Sequence, residues 1–267
     1  MLDVHPPHTS THTWRDFFIH IATIVIGLLI AIGLEQSVEA IHHRHQRDEL
    51  TEHMHAEAER NLPVIRESVL RLQTQRAYIQ SLQAALSSAK VSGTTVSVAG
   101  VTPRGGSAIF VSVSRSTWIS AQAAGLVALL PSDQAGLYSR IDFNAEEAIH
   151  DEDEMYENIR LFLAECSRAN FDYTASGTST LTVAHRDDLL FQLSRVETAI
   201  ENYALRLSLM EGADESVVAG VLSLEGMYPY QSAALARLNF NSRLGALYGG
   251  QTGSTYKDLS THPASSE

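Results

Sequence analysis

The sequence predicts an all-α fold: an N-terminal transmembrane helix continuing into a helical stalk, then an antiparallel helical bundle with a short β-hairpin insert. Three observations predict it. Residues 17–34 form an uninterrupted, uncharged and mostly apolar run, FFIHIATIVIGLLIAIGL. Beyond it, apolar residues recur at three- and four-residue spacing, the period of an α-helix with one buried face. Residues 91–113 depart from that period, with valines and isoleucines alternating with small polar residues around a Pro/Gly-bearing turn.

Taken in order, residues 1–13 (MLDVHPPHTSTHT) are rich in Pro, His and Thr and are expected to be a disordered tail. Residues 14–34 are expected to form the transmembrane helix. At about 1.5 Å per residue, the eighteen-residue run covers roughly 27 Å, close to the hydrocarbon thickness of a bilayer. Trp14 and Arg15 precede it, an amphipathic ring and a cation suited to the membrane interface. A cleaved signal peptide is the competing reading, because Ala31 and Gly33 place small residues at cleavage-type positions. Signal cores span about seven to fifteen residues, so the longer run here favours a retained anchor. Thr23, Gly27 and Ala31 form a small-residue row at four-residue spacing, which permits close approach of a second span and predicts a homodimer. His20 lies about one turn inside the span and reads as a neutral interfacial residue.

Residues 35–90 are expected to be a juxtamembrane helical stalk. No strong breaker occurs before Pro63, which either opens a new helix capped by Asn61 or kinks a continuing one. Leu62, Ile65, Val69, Leu72, Ile79 and Leu86 then follow heptad-like spacing, with Arg76 and Gln83 at the missing positions. This stripe suits either a parallel coiled coil between two chains or packing on later helices. Residues 91–113 are the hairpin or loop, with Thr102–Gly106 as its turn. Residues 114–249 are expected to be the helical domain. It comprises a Trp118-to-Leu130 segment stopped by Pro131 and a helix from Ser132 towards Ala169. A Thr/Ser/Gly-rich loop over 170–183 and a long helix ended by Gly212 follow, with one or two further helices beyond. Trp118, Leu126, Leu129, Leu193, Val196 and Ile200 are expected in its core. Residues 250–267 are expected to be a disordered tail.

The net charge of −12 argues against binding nucleic acid by phosphate neutralisation. The single cysteine, Cys166, cannot form an internal disulfide, and its helical context (FLAECSRAN) suits an inert buried thiol. No phosphate loop, nucleophile elbow or Cys/His zinc spacing occurs, so no catalytic residue and no cofactor is assigned and a non-enzyme is expected.

Five of the twelve histidines fall between His42 and His55. His45, Glu49 and His53 are four apart on one helix face, a row able to offer metal ligands or to gain charge below neutral pH. The simpler reading is a solvated face beside lipid headgroups, since one helix face supplies few ligands in closed geometry. Glu52-x-x-His55 and Glu147-x-x-His150 repeat the Glu-x-x-His element of di-iron bundles. Their polar surroundings argue against that use.

The chain resembles bacterial families of single-span membrane proteins with a domain of unknown function. The resemblance rests on the span motif Ile26–Ala31 followed by Glu35-Gln36. It rests also on Thr117-Trp118, Ala121, Gly125, Leu126 and Leu129, followed by Tyr138 on the next helix. It implies an anchored helical domain and carries no activity with it. The expectation is therefore a membrane-anchored helical interaction or scaffold module in a bacterial inner membrane, single-pass and homo-oligomeric through span and stalk. Its partners would be the lipid bilayer and an unidentified protein, and its soluble domain would be periplasmic. The alternative is a membrane-tethered bundle that binds metal or a small ligand through the juxtamembrane histidines.

Overall fold

The computed structural model describes residues 14–101 and 113–238. Both tails expected to be disordered, and the Thr102–Gly106 turn, lie outside the described residues. Within them the protein is all-α, with five helices and one small sheet. The chain divides into two compact units, residues 1–49 and 50–267. Helix α1, Trp14–Ser87, contributes to both.

In the first unit α1 is exposed along the apolar run, and its most apolar eighteen-residue window has no residue buried. Among the described residues this is the one helical segment long and apolar enough to cross a membrane. Trp14, Phe17 and Phe18 pack their rings together at its start, with Trp14 and Phe18 stacked at 5.3 Å.

The second unit begins at Leu50, within the stretch 35–90 expected as a stalk. Leu50, Met54 and Ala58 are buried in the same apolar cluster as Trp118, Leu137, Tyr138, Ala213 and Met227. The α1 segment continues unbroken through Pro63. The whole heptad stripe from Leu62 to Leu86 is then buried within this one chain. Ile65, Val69, Leu72, Ile79, Leu82 and Leu86 share a second cluster with apolar residues of the helices described next. Of the two uses the stripe allowed, packing on later helices is the one observed.

A short hairpin follows: β1, Lys90–Ser92, pairs antiparallel with β2, Thr95–Ala99. Gly93 turns it with φ 62°, a left-handed conformation that glycine adopts without a Cβ clash. Most of the segment expected to follow the Thr102–Gly106 turn lies outside the described residues. On its other edge β2 pairs antiparallel with β3, Thr178–Thr182, from Thr95↔Thr182 to Ala99↔Thr178. The Thr-rich stretch taken as loop is thus partly strand. Threonine is β-branched and fits a half-buried pleat, and Leu181, opposite Val96, supplies the inward side chain.

The expected Trp118-to-Leu130 helix is divided. Helix α2, Ser116–Ala123, stops before Gly125, whose φ of 73° leads into a 3-10 turn at Leu126–Leu129. Trp118, Ala121 and Leu130 are buried, whereas Leu126 and Leu129 are only half-buried, a correction to the expected core. Leu193, Val196 and Ile200 are fully buried as expected.

Two long helices complete the frame: α3, Ser132–Arg168, and α4, Val183–Val218. Glu147 and Asp151 of α3 pair with Arg206, while Glu165 pairs with His185, so the two run antiparallel. Arg66 meets Glu211 and Glu215, while Arg76 meets Glu197 and Glu201, so the Leu50–Ser87 part of α1 is also antiparallel to α4. Arg76, the polar residue in the heptad stripe, is therefore matched to carboxylates across the core. Helix α5, Leu224–Arg237, crosses α4 at Gly212. A Cβ there would lie 2.4 Å from the Gln231 Cα. Gly212 thus does not end α4, as expected, but allows α5 to approach it.

Candidate functional site

The second unit contains a buried polar cluster where α1, α2, α3 and α4 meet. It starts from Glu57 and Asn61, four residues apart on the inward face of α1 and both buried. Asn61 clamps the backbone of Ser114: its Nδ2 donates to the Ser114 carbonyl (3.1 Å), and its Oδ1 accepts from the Ser114 N–H (3.0 Å). This pairing imitates a β-bridge and fixes the chain entering α2.

Glu57 completes the joint. Its Oε2 accepts from the hydroxyls of Ser114 (2.9 Å), Ser116 (3.0 Å) and Thr117 (2.8 Å), and from the Thr117 N–H (3.0 Å). Helix α2 has no side-chain cap of its own at Arg115. A carboxylate from α1 therefore meets one of its orphan N–H groups, where the helix dipole favours negative charge. Arg115 turns the other way and donates through Nε to Asp142 of α3 (2.7 Å), which raises its guanidinium pKa further.

Asp214 of α4 closes the cluster. It is 1% exposed, and its Oδ2 is buried without a hydrogen-bond partner. Burial pushes its carboxyl well above the usual aspartate range, and the charge of Glu57 adds to that shift. Glu57, Asn61, Ser114, Arg115, Asp142 and Asp214 line one cavity of about 20 Å³, with Met54 and Met210 among its apolar walls. That volume admits about one water molecule or one monatomic ion.

Of these residues the sequence singled out only Asn61, and that as a helix cap. The available signal was periodicity: the α1 stripe extends upstream of Leu62 through Leu50, Met54 and Ala58, placing Glu57 and Asn61 on its buried side. Asp214 lies in a similarly apolar setting, among the buried residues Met210, Ala213 and Val217.

The residues singled out from sequence lie elsewhere. Trp14, Arg15, Thr23, Gly27 and Ala31 are all exposed in the first unit. The Thr23 hydroxyl donates back to the Ile19 carbonyl (2.8 Å). His45 and Glu49 are exposed in the first unit and His53 is exposed in the second. The two Glu-x-x-His elements take separate partners. Glu147 pairs with Arg206, and His55 lies 3.3 Å from the Val218 carbonyl.

Among the described residues, one trio of potential metal ligands has its donor atoms within 4.8 Å of one another: Glu165, His185 and Asp188. Its centre is already served by a cation of the chain. Arg168 bridges Glu165 (2.5 Å) and Asp188 (2.8 Å), while His185 Nδ1 lies 3.0 Å from Glu165. The arrangement reads as an ion-pair clasp between the end of α3 and the start of α4. Cys166 is buried, and burial pushes its thiol up to about 12, which suppresses the nucleophilic thiolate. No protein family, no curated protein and no solved structure matches the chain.

Proposed function

We propose that the protein is a membrane-anchored helical interaction module, tethered through residues 14–34 and presenting the second unit to a protein partner. The observation that carries this reading is the fully exposed apolar run of α1. Twelve exposed Ile, Leu, Val and Phe side chains between Phe17 and Leu34 are costly in water and favourable in lipid, at roughly 25 cal/mol per Å² of apolar surface. The small-residue row is exposed on the same segment, and a Cβ at Gly27 would meet nothing within 4 Å beyond the local helix backbone. That row supports a homodimer through the span. The buried heptad stripe lends the dimer no support, because its apolar face is used within the chain.

The resemblance to bacterial single-span proteins supports an anchor in the inner membrane, and we place the second unit in the periplasm because a single span ahead of a large domain commonly tethers that domain outside the cytoplasm. Nothing in the fold favours the alternative of a histidine-based ligand site, since His45 and His53 are exposed. The test is affinity capture from detergent-solubilised native membranes, comparing the full chain with one retaining only residues 1–49. Proteins recovered with the full chain alone support an interaction module, and identical recoveries contradict it. Crosslinking in native membranes is expected to trap a dimer that Gly27→Leu weakens; monomer alone would count against pairing through the span.

A further inference from the structure

We propose that a second copy of this chain docks on α1 just beyond the apolar run, along Val38 and Ile41. The two copies form a short parallel neck, held in register by Arg44 of each chain against the partner's Glu49. The proposal deepens the homodimer reading and rests on it. Its first support is a pair of uncovered side chains. Val38 and Ile41 are 67% and 70% exposed, on a stretch where Glu35, Glu39, His42, His43 and Arg44 are polar. Lipid does not account for them. At about 1.5 Å per residue Ile41 stands roughly 10 Å past Leu34, whereas the polar layer of a bilayer is roughly 5–8 Å deep on each side.

The spacing of this face identifies the occupant. Ile24, Gly27, Ala31, Leu34, Val38 and Ile41 recur at alternating three- and four-residue steps, and all six are exposed. That is a seven-residue repeat with these residues at its a and d positions. Gly27 and Ala31, the small residues that permit close approach within the span, thus lie on one line with Val38 and Ile41. Two chains that enter a membrane in the same direction are parallel, and a seven-residue line matches its own copy in that arrangement. The β-branched Val38 at an a position suits two strands. His45 and Asp48 occupy the next two positions and end the apolar line.

Charge supplies an independent support. In a parallel pair the g position of one helix faces the following e position of the other. Here those positions are Arg44 and Glu49, opposite in sign. Within its own chain Arg44 lies 3.9 Å from Asp48 with both side chains well exposed, a pair that contributes little. Glu39 and His43, 3.9 Å apart, lie at b and f positions, away from the line, and do not compete.

The test is cysteine crosslinking of the full chain in native membranes, with copper phenanthroline as oxidant. The unaltered chain, whose Cys166 is buried, gives the background. Val38→Cys and Ile41→Cys are expected to give about fivefold more disulfide-linked dimer than Gln36→Cys and Ala40→Cys, which lie on the opposite face. Arg44→Glu in the Ile41→Cys chain is expected to lower the yield about threefold, and adding Glu49→Arg to restore it. Equal yields at all four positions overturn the neck, as does an Arg44→Glu chain that crosslinks undiminished or a double reversal that fails to restore the dimer. If a crosslinked dimer weakened by Gly27→Leu persists beside such a result, pairing through the span stands without the neck. No dimer from any variant overturns both readings.

Discussion

Asp214 gives the fold an unusual pH dependence. Its carboxyl is raised in the folded state, so the folded chain holds a proton that the unfolded chain releases above the ordinary aspartate value. Stability from this group is therefore greatest in acid and falls as pH rises from about 4 towards the folded pKa, by about 1.4 kcal/mol per pH unit. Asp214→Asn removes that slope. It is expected to be more stable than the original chain at pH 7.5 and nearly equal at pH 4, by urea unfolding at both values. Glu57 has the opposite expectation. Glu57→Ala leaves the Thr117 N–H and three hydroxyls without their common acceptor and is expected to cost about 2–4 kcal/mol, read by the same unfolding. Cys166, buried with its thiol pushed up to about 12, is expected to resist maleimide labelling until the chain unfolds. Of these three, only Cys166 was legible in the sequence, because its surroundings on one helix are local. Glu57 binds residues 57 to 60 positions away, and no local pattern announces such a partner.

At the scale of elements, helical period carried most of the information. The stripe from Leu62 to Leu86 and the positions Leu193, Val196 and Ile200 are buried as their spacing implies. The errors fall where tertiary contact overrides local chemistry. Gly212 looks like a helix stop, yet the helix runs on, because glycine serves the crossing of α5. The segment containing β3 looks like a loop, yet β2 offers it an edge to pair with. Helix stops that depend on local geometry are clearer. Asn170 and Gly220 adopt left-handed conformations just past α3 and α4, and the Phe171 and Val221 N–H groups reach back to the Cys166 and Ser216 carbonyls. Two substitutions test the element packing. Leu72→Ala is expected to cost about 2–5 kcal/mol, independently of protein concentration, because its cavity opens within one chain. A loss that shrank at high concentration would instead place Leu72 between chains. Gly212→Ala is expected to cost about 1–3 kcal/mol by forcing α5 away from α4.

For the whole molecule, α1 changes character along its length. Residues 17–34 of α1 carry exposed apolar side chains around the whole helix, as a lipid-facing segment does, whereas Leu50–Ser87 buries one face in a core. The first part was legible in the sequence because a candidate span is marked by composition and length alone. The start of the second unit stayed hidden among polar residues, because Leu50, Met54 and Ala58 are few and their partners lie far along the chain. The central claim is that residues 14–34 remain in the protein as a membrane anchor. Alkaline carbonate extraction of native membranes, followed by intact mass of the protein in each fraction, tests it directly. The protein is expected in the membrane pellet at a mass that includes residues 14–34. A protein released to the supernatant, or one whose mass begins near Leu34, would contradict the account.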